Sequence, residues 1–382
     1  MRRILVLGGG FCGIAAARDL SKRLSGRAEI VLVDDQPEFV FQPQLIEALE
    51  DKVSEADLRT PLADIAKRDG FRILRARTRS IDPSASRAML VEGDREFTEP
   101  FDILVVATGG KTAYYGTPGA ETHALPLKTG QDLDLLKNRL TAAANRAKDA
   151  KTDAERDLWL RIAVVGGGPT GIELALAAKG RMAHLLADAP ELAKRVDVHV
   201  FQSMPQILAG FPKRCIAYAE KVLLREGVTV HAGHRVVSVE KNAIATDAPE
   251  RLEAGTLLWC AGVGAAPPAF AGDASVQLRA DGYLRTHANV FAGGDVVDFS
   301  YKQLRVPKNG QTARLMGLAI AENVARLVDG KELKPFRYFS KGAILVLGDD
   351  ACIELPVGFL KGRWLVPIRR FFYKLMHRSL VG

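Results

Sequence analysis

Two glycine-rich segments, each preceded by an apolar run and followed by a helical pattern, constrain the fold of this chain more than any other feature. The first begins at Gly8, after the apolar run 3–7, and the second begins at Gly166, after the run 162–165. A strand, a G-x-G-x-x-G turn and a helix aim backbone N–H groups and a helix N-terminus at a pyrophosphate. One match is weak evidence, but two in one chain predict two bound dinucleotides. The glycines that carry this prediction are Gly8, Gly10 and Gly13, then Gly166, Gly168 and Gly171.

The residue that ends the second strand of each unit predicts how the ribose is bound. Asp34 stands there in the first unit, where a carboxylate accepts hydrogen bonds from ribose hydroxyls. In the second unit the strand ends at the neutral Gln202. Because an acid at this position repels a 2′-phosphate, Gln202 makes NADPH acceptable beside NADH. Lys213 and Arg214 are within loop reach, and the alternative is that Gln202 binds a ribose hydroxyl and NADH stays preferred.

The charge distribution argues against a nucleic-acid partner. The chain has 382 residues, enough for two or three domains, and a formal net charge of +8. From Leu355 onward it carries six lysine or arginine residues and no acid, so the excess charge is a C-terminal property. The beginning, Met1 to Ala17, resembles a signal peptide, but cleavage there would destroy the first glycine segment. We therefore expect a cytoplasmic protein that starts near residue 1. Its four cysteines form no C-x-x-C motif, and we expect reduced thiols and no metal site.

Further glycine motifs extend the pattern to most of the chain, and it resembles the flavoprotein oxidoreductases that bind two dinucleotides. Strand-like runs end at Thr108-Gly109, at Gly262 and at Gly294-Asp295. The resemblance implies an α/β fold with two Rossmann-like domains, an NAD(P)H domain inserted in an FAD domain. It places Thr108 and Gly109 near FAD, Asp295 at its ribityl or pyrophosphate part, and Gly262 where nicotinamide meets flavin. The implied domains are 1–115 with 280–330 for FAD, 116–279 for NAD(P)H, and 331–382 for quinone and membrane association.

Three segments resemble the type II NADH:quinone oxidoreductases within that group. They are 41–45 (FQPQL), 166–175 (GGGPTGIELA) and 310–317 (GQTARLMG). The resemblance implies electron transfer from NAD(P)H through FAD to a membrane quinone in a respiratory chain, without proton pumping. It places Glu173 and Gln311 near the flavin ring and Lys341 at a quinone oxygen. The third segment departs from the family pattern, with Gly310 for an alanine and Leu315 for a glutamine, which puts the choice of quinone in doubt.

The C-terminal segment predicts an amphipathic helix at a membrane surface. Helical spacing gathers its apolar residues on one face and its basic residues on another. We expect peripheral attachment to the cytoplasmic face of a membrane, the alternatives being a helix docked on the protein's own core or on the second copy of a homodimer. The apolar residues are Trp364, Ile368, Phe371, Phe372, Leu375 and Met376, and the basic residues are Arg369, Arg370, Lys374 and Arg378.

Three other functions remain open at this stage. A sulfide:quinone oxidoreductase needs a pair of cysteines near the flavin, for which Cys260 and Cys352 are the candidates. A soluble ferredoxin- or rubredoxin-type reductase would not need the C-terminal helix. A non-catalytic flavoprotein that senses NAD(P)H would bind both dinucleotides without reducing a quinone.

Overall fold

The computed structural model describes residues 1–249, 251–271, 278–339, 344–355 and 358–382. The strands are β1 Arg2–Leu7, β2 Ala28–Asp34, β3 Glu38–Val40, β4 Arg59–Pro61, β5 Arg72–Arg75, β6 Arg77–Asp82, β7 Arg87–Glu92, β8 Arg95–Pro100, β9 Ile103–Val106, β10 Gly110–Thr112, β11 Arg161–Val165, β12 Asp197–Gln202, β13 Val228–Ala232, β14 Val236–Glu240, β15 Ala243–Thr246, β16 Arg251–Glu253, β17 Thr256–Trp259, β18 Val263–Ala265, β19 Ala269–Phe270, β20 Leu278–Arg279, β21 Arg285–His287, β22 Val290–Ala292, β23 Val297–Asp298, β24 Ser300–Tyr301, β25 Leu304–Arg305, β26 Leu345–Leu347, β27 Asp350–Leu355 and β28 Gly358–Lys361. The α-helices are α1 Phe11–Arg23, α2 Leu45–Leu49, α3 Glu55–Leu58, α4 Leu62–Asp69, α5 Ala120–His123, α6 Gly130–Asp149, α7 Asp153–Leu160, α8 Pro169–Leu185, α9 Pro190–Lys194, α10 Lys213–Arg225, α11 Gly310–Val328 and α12 Leu365–Val381, with 3₁₀ turns at Gln42–Gln44 and Gly294–Val296.

The first glycine segment lies in a six-stranded sheet of order β21-β22-β9-β1-β2-β5. Its strands pair in parallel except for the antiparallel edge pair β21–β22. The residues of β1, β2 and β9 read as apolar runs because both faces of a parallel sheet are buried, here by α1 and α11 among others. A small sheet of order β19-β6-β7-β8 is attached to this unit.

The second glycine segment lies in a parallel four-stranded sheet of order β13-β12-β11-β17. Residues of α6, α8 and α10 share one buried cluster with this sheet, and α5 with β14 and β15 contributes to the cluster on the other side. In both units the strand that precedes the glycines is an interior strand, so the two glycine turns leave their sheets at equivalent places.

The C-terminal region consists of the antiparallel sheet β26-β27-β28 and the helix α12. This sheet packs against α8 and α10 of the second unit, while the end of α12 reaches α1 of the first unit. Among the helices of the described residues, none combines the length and apolar character that crossing a bilayer requires.

The domain division inferred from sequence stays a prediction, and one strand argues for a shifted boundary. The six-stranded sheet draws on both segments assigned to the FAD domain, and the four-stranded sheet lies within 116–279. However, β19 lies inside the range assigned to NAD(P)H and pairs with β6 of the first unit. The chain therefore returns to the first unit before residue 269.

Candidate functional site

The first glycine turn has room for a phosphate and no room for side chains behind it. Gly8 has φ 103°, and a Cβ there would lie 2.4 Å from the carbonyl oxygen of Ala107. A Cβ on Gly13 would lie 1.8 Å from the carbonyl oxygen of Gly8. A Cβ on Gly10 would meet no atom within 4 Å. Gly8 and Gly13 are thus required by packing, whereas Gly10 leaves space in front of the α1 N-terminus, where a pyrophosphate fits.

A cleft of about 320 Å³ opens at this turn and gathers most of the residues predicted to bind FAD. Its wall includes Gly8, Gly10, Asp34, Thr108, Gly109 and Asp295. The turn, the acid and the opposite wall come from β1, β2, β9 and the Gly294–Val296 turn, which meet at the carboxyl edge of the first sheet. The residues present fit an FAD dinucleotide, since open space in front of Gly10 adjoins a ribose-binding acid.

Asp34 holds the glycine turn as well as facing the cleft. Its carboxylate accepts hydrogen bonds from the backbone N–H groups of Gly9 and of Gln36, the latter at 2.8 Å. Burial raises the pKa of Asp34, although the two backbone hydrogen bonds act in the opposite direction. Asp34 therefore has the position and the acceptor atoms that a ribose hydroxyl pair needs.

Two lysines surround Asp295 on the opposite wall. Lys308 Nζ donates to the backbone carbonyl of Asp295 at 2.7 Å, and Lys128 Nζ lies 3.9 Å from its carboxylate. Burial lowers the pKa of Lys128, and Lys308 adds to this while Asp295 opposes it. A partly buried cation on the wall of the cleft suits an anionic ligand such as a pyrophosphate. Sequence reasoning missed Lys128, although the capping box of Thr129 and Asp132 marks a helix start directly behind it.

The second glycine turn repeats the geometry of the first. Gly166 has φ 115°, and its Cβ would lie 2.4 Å from the carbonyl oxygen of Cys260. A Cβ on Gly171 would lie 1.9 Å from the carbonyl oxygen of Gly166, whereas one on Gly168 would meet no atom within 4 Å. The space in front of the α8 N-terminus is therefore open in the same way as at Gly10.

Gln202 takes the structural place of Asp34 in the second unit. Its Oε1 accepts from the N–H of Gly167 at 3.3 Å, as Asp34 accepts from Gly9. Its Nε2 donates to the carbonyl oxygen of Gln206 at 3.3 Å. The amide thus preserves the contact with the turn without placing a negative charge beside the ribose.

Residues 260–263 run from the second glycine turn to the wall of the FAD cleft. Cys260 and Ala261 lie against Gly166, while the side chain of Val263 lies against Gly110 on the wall of the cleft. Gly262 stands between them with φ 146°, a conformation that favours glycine. The predicted meeting point of nicotinamide and flavin, Gly262, is therefore one residue from each dinucleotide site.

Aromatic side chains lead from the cleft to α12. Phe11 and Phe39 line the cleft, and their ring centroids are 5.2 Å apart. Phe41 lies 5.5 Å from Phe11 and 5.9 Å and 5.0 Å from Tyr373 and His377 of α12. The segment 41–45 thus lies between the cleft and the C-terminal helix.

The departure at Gly310 from the family pattern has a steric cause. A Cβ at this position would lie 2.9–3.0 Å from atoms of the Phe11 ring. Gly310 lines the cleft at the start of α11, and Gln311 follows it as a partly buried residue. Leu315, which replaces the family glutamine, packs against the core of the first unit.

Glu173 lies in a buried ion pair beneath α12. Its Oε2 is 2.9 Å from Nη2 of Arg369, and its Oε1 accepts from the N–H of Val346 at 3.0 Å. Arg369 Nε donates to the hydroxyl of Tyr373 at 3.0 Å. Burial lowers the pKa of Arg369, but Glu173, Tyr373 and Glu47 together more than offset this and leave the pKa above its ordinary value. The third residue predicted for catalysis, Lys341, lies outside the described residues.

Helix α12 presents part of its apolar residues outward, and the distribution of its basic residues differs from the prediction. Arg369 is buried, and Arg370 Nε donates to Glu47 Oε1 at 3.2 Å, so two of the basic residues hold the helix to the body. Met376 does not lie on the outward face. It is one turn after Tyr373, and both side chains pack against the core. The exposed apolar residues are Trp364, Ile368, Phe371, Phe372 and Leu375.

The two cysteines considered for a sulfide:quinone oxidoreductase, Cys260 and Cys352, are free thiols. Cys260 lies behind the second glycine turn, with its Cβ 3.5 Å from the position of a Cβ on Gly171. Cys352 is fully buried and interacts with Cys215 of α10. Burial raises the pKa of Cys260 to about 12 and that of Cys352 above its ordinary range. Within the described ranges, no group of three or more candidate ligands is placed to hold a metal ion.

The fold and the two glycine turns define an oxidoreductase with two dinucleotide-binding units. The chain belongs to the pyridine nucleotide-disulphide oxidoreductase family, whose model matches residues 2–317. The predicted cofactors, FAD and a pyridine nucleotide, are those of this family.

Relatives over nearly the full chain confirm the resemblance to type II NADH:quinone oxidoreductases. The chain is 29% identical to the demethylphylloquinone reductase NdbB of Synechocystis sp., covering 97% of this chain and 91% of the relative. It is 28% identical to the type II NADH:quinone oxidoreductase of Staphylococcus epidermidis, covering 98% of this chain and 93% of that protein.

Solved structures confirm the predicted fold class. NDH2 of Plasmodium falciparum superposes with a TM-score of 0.89 at 15% identity, covering 100% of this chain and 96% of the other. The sulfide:quinone oxidoreductase of Aquifex aeolicus superposes with a TM-score of 0.80 at 20% identity, covering 100% and 91%. At these identities the likeness establishes the fold alone.

Proposed function

We propose that the protein is a membrane-associated NAD(P)H:quinone oxidoreductase that uses FAD and does not pump protons. The observation that carries the proposal is the segment 260–263, which joins β17 to β18 and runs from the second glycine turn to the wall of the FAD cleft. Bound FAD supplies a two-electron acceptor for nicotinamide and a donor for quinone. The chain itself has to hold the two dinucleotides in contact and admit the quinone. The names of the full-length relatives support the quinone as acceptor.

On the donor side, the residues bind and orient the pyridine nucleotide. The N-terminus of α8 and the open space at Gly168 receive its pyrophosphate, and the nicotinamide ring is to lie against Gly262, which has no side chain of its own. The neutral amide of Gln202 faces the ribose without charge repulsion, which allows both NADH and NADPH. Replacing Gln202 by Asp should weaken NADPH binding while NADH binding is retained.

On the acceptor side, apolar and aromatic side chains favour a lipid-soluble substrate. The path from Phe11 through Phe41 to α12 joins the cleft to the helix whose apolar face is exposed. Gln311, at the start of α11, and Glu173, beneath α12, are the polar groups we propose to orient the quinone or pass protons to it. Lys341 keeps the same proposed role from the family resemblance.

The outward apolar face of α12 supports attachment to a membrane surface. An amphipathic helix with exposed aromatic residues and neighbouring basic residues inserts its apolar face at the level of the lipid headgroups. Lys374 and Arg378 are exposed on the same helix and would add about 1 kcal/mol each near an anionic surface. We place the protein on the cytoplasmic face of the membrane. The homodimer implied by the family resemblance can be tested by measuring the molar mass of the purified protein by light scattering.

The decisive experiment is anaerobic bleaching of the purified yellow protein by NADH and, separately, by NADPH, followed by a short-chain quinone. We expect rapid bleaching by at least one donor and rapid recovery of flavin absorbance with quinone. Bleaching without recovery would contradict the quinone as acceptor and favour a protein acceptor or a sensor. The absence of bleaching would contradict the donor assignment.

Membrane attachment is tested by sedimentation with vesicles of zwitterionic or partly anionic phospholipid. We expect binding that rises with anionic lipid and falls when Phe371 and Phe372 are both replaced by Ser. Leu135, an exposed apolar residue of α6, supplies the control substitution Leu135→Ser. Binding that is unaffected by the double substitution would contradict the role of α12.

A further inference from the structure

The loop after β10 carries an exposed tyrosine at the junction of the two dinucleotide sites. Two hydrogen bonds hold the backbone of segment 113–117: Ala113 N–H donates to the carbonyl oxygen of Gly262 at 3.0 Å, and within the turn Thr117 N–H donates to that of Tyr114 at 2.9 Å. Tyr114 packs 5.7 Å from Trp259, whose Nε1 donates to Ala113 at 2.8 Å. The loop is therefore anchored to the end of β17, while the next side chain, Tyr115, is 73% exposed.

Tyr115 adopts a backbone conformation that its residue type disfavours. Tyr115 has φ 52° and Gly116 has φ 69°, and with the Tyr114–Thr117 hydrogen bond they have the signs of φ of a type I′ turn. Such turns favour asparagine or glycine at the first central position, and a tyrosine there is strained. Strain of this kind persists where the surrounding structure enforces it and often marks functional positions. Here the turn directs the phenol toward Gly262.

The phenol of Tyr115 covers the position predicted for the nicotinamide ring. A Cβ on Gly262 would lie 2.5 Å from the Tyr115 hydroxyl, so the phenol lies directly over the glycine. Gly262 is adjacent to Ala261, which contacts the second glycine turn, and to Val263, which contacts the FAD cleft at Gly110. A nicotinamide ring that reaches the flavin from the second site must pass this point.

We propose that Tyr115 is a displaceable cover over the nicotinamide subsite, a positioning residue that must swing away before the nicotinamide ring can lie on Gly262. The proposal rests on the proposed function, because it requires a pyridine nucleotide at the second glycine turn. The phenol is largely exposed, so its displacement disturbs no buried side chain, whereas hydrogen bonds and the packing of Tyr114 on Trp259 hold the backbone of 113–117. The cover therefore lowers the apparent affinity for the nicotinamide end of the ligand and leaves the adenosine end unaffected.

Binding calorimetry on the FAD-loaded, full-length protein separates the two ends of the ligand. NAD⁺ is compared with ADP-ribose, which lacks the nicotinamide ring, in wild type, Tyr115→Ala and Tyr115→Phe. We expect Tyr115→Ala to bind NAD⁺ about threefold more tightly or better, since the open fraction of the subsite rises to one. ADP-ribose affinity should stay the same in all forms, and Tyr115→Phe should resemble wild type. Tyr283→Ala, at an exposed tyrosine beside α11, is the matched control and should change neither affinity.

Two results would contradict the proposal that Tyr115 covers the nicotinamide subsite. Equal NAD⁺ affinity in wild type and Tyr115→Ala would mean that the phenol does not exclude the ring, and weaker NAD⁺ binding by Tyr115→Ala would mean that it supports the ring. Unchanged ADP-ribose binding shows in either case that the variant is folded. If wild type binds neither NAD⁺ nor ADP-ribose, the assignment of a pyridine nucleotide as donor is wrong, and the proposed role of Tyr115 is wrong with it.

Discussion

The ion pair of Glu173 and Arg369 gives a quantitative test of how α12 is held to the body. The two side chains are only 9% and 8% exposed and their charged atoms are 2.9 Å apart. Removing one partner of a buried pair leaves an uncompensated charge and costs about 3–5 kcal/mol. In Arg369→Ala the carboxylate of Glu173 would keep, among the described residues, only the N–H of Val346 as a hydrogen-bond donor. We therefore expect Arg369→Ala to be strongly destabilised.

The expected loss is measured as a shift in thermal unfolding of the FAD-loaded protein. Each kcal/mol lowers the melting temperature by roughly 2–4 °C in domains of 150–250 residues, so Arg369→Ala should melt about 6 °C or more below wild type. Hydrogen exchange should show faster exchange in α12 and at Val346, because the helix loses its buried anchor. Lys374→Ala removes an exposed positive charge from the same helix and should melt within about 1 °C of wild type.

A double substitution separates the charge from the packing. Replacing both partners by leucine removes the buried charges together, which is often neutral or stabilising. We expect Glu173→Leu with Arg369→Leu to recover most of the melting temperature lost in Arg369→Ala. Two results would refute the reasoning: a single variant as stable as Lys374→Ala, or a double variant no more stable than the single one.

Three further predictions follow from the two glycine turns, the buried thiols and one surface carboxylate. Gly10→Ala should leave the melting temperature of the FAD-free protein unchanged and weaken FAD binding tenfold or more, about 1.4 kcal/mol, whereas Gly168→Ala should retain FAD and show a lower affinity for NAD(P)H in a titration. A lower melting temperature of the FAD-free Gly10→Ala protein would contradict the open space in front of Gly10. Burial raises the pKa of Cys12 to about 12, so iodoacetamide at pH 8 should modify it only after unfolding, as mass spectrometry of native and urea-treated protein will show. The hydrogen bond from His199 lowers the pKa of Asp197 to about 2, so its contribution to stability is complete above its ordinary pKa of 3.8 and is lost as the pH falls toward 2. Asp197→Asn should therefore melt below wild type above pH 4, and the difference should shrink as the pH falls from 4 toward 2, as melting curves across this range will show.

The predictability of the site depended on how local each determinant is. The glycines at 8 and 166 could be predicted because a strand, a tight turn and a helix N-terminus are encoded within a short stretch of chain. Asp34 and Gln202 could be found because the length of a βαβ unit fixes where the second strand ends. Lys128 could not be found in this way, because it stands just before α6 and meets Asp295 across a large separation in sequence.

The sequence of α12 predicted a helix with an apolar face but not the use of its basic residues. Helical spacing assigned Arg369 to the polar face, and only the approach of Glu173 from α8 decides that this arginine is buried. In the same way, Tyr115 carries no sequence signal of a site. Its importance follows from a turn that is enforced by hydrogen bonds to Gly262 and lies between two sites.

The sequence by itself determined the family, the two dinucleotide units and the positions of their phosphate-binding turns, because these depend on backbone conformation and spacing along one βαβ unit. The tertiary structure decided how the units are joined, which charges are buried beneath α12 and what lies over Gly262. These properties depend on contacts between segments far apart in the chain, and a local sequence pattern does not predict which distant side chain will make a given contact. The same distinction applies to two glycines. The role of Gly10 could be predicted from its motif, whereas the need for glycine at position 310 is explained only by the nearby ring of Phe11.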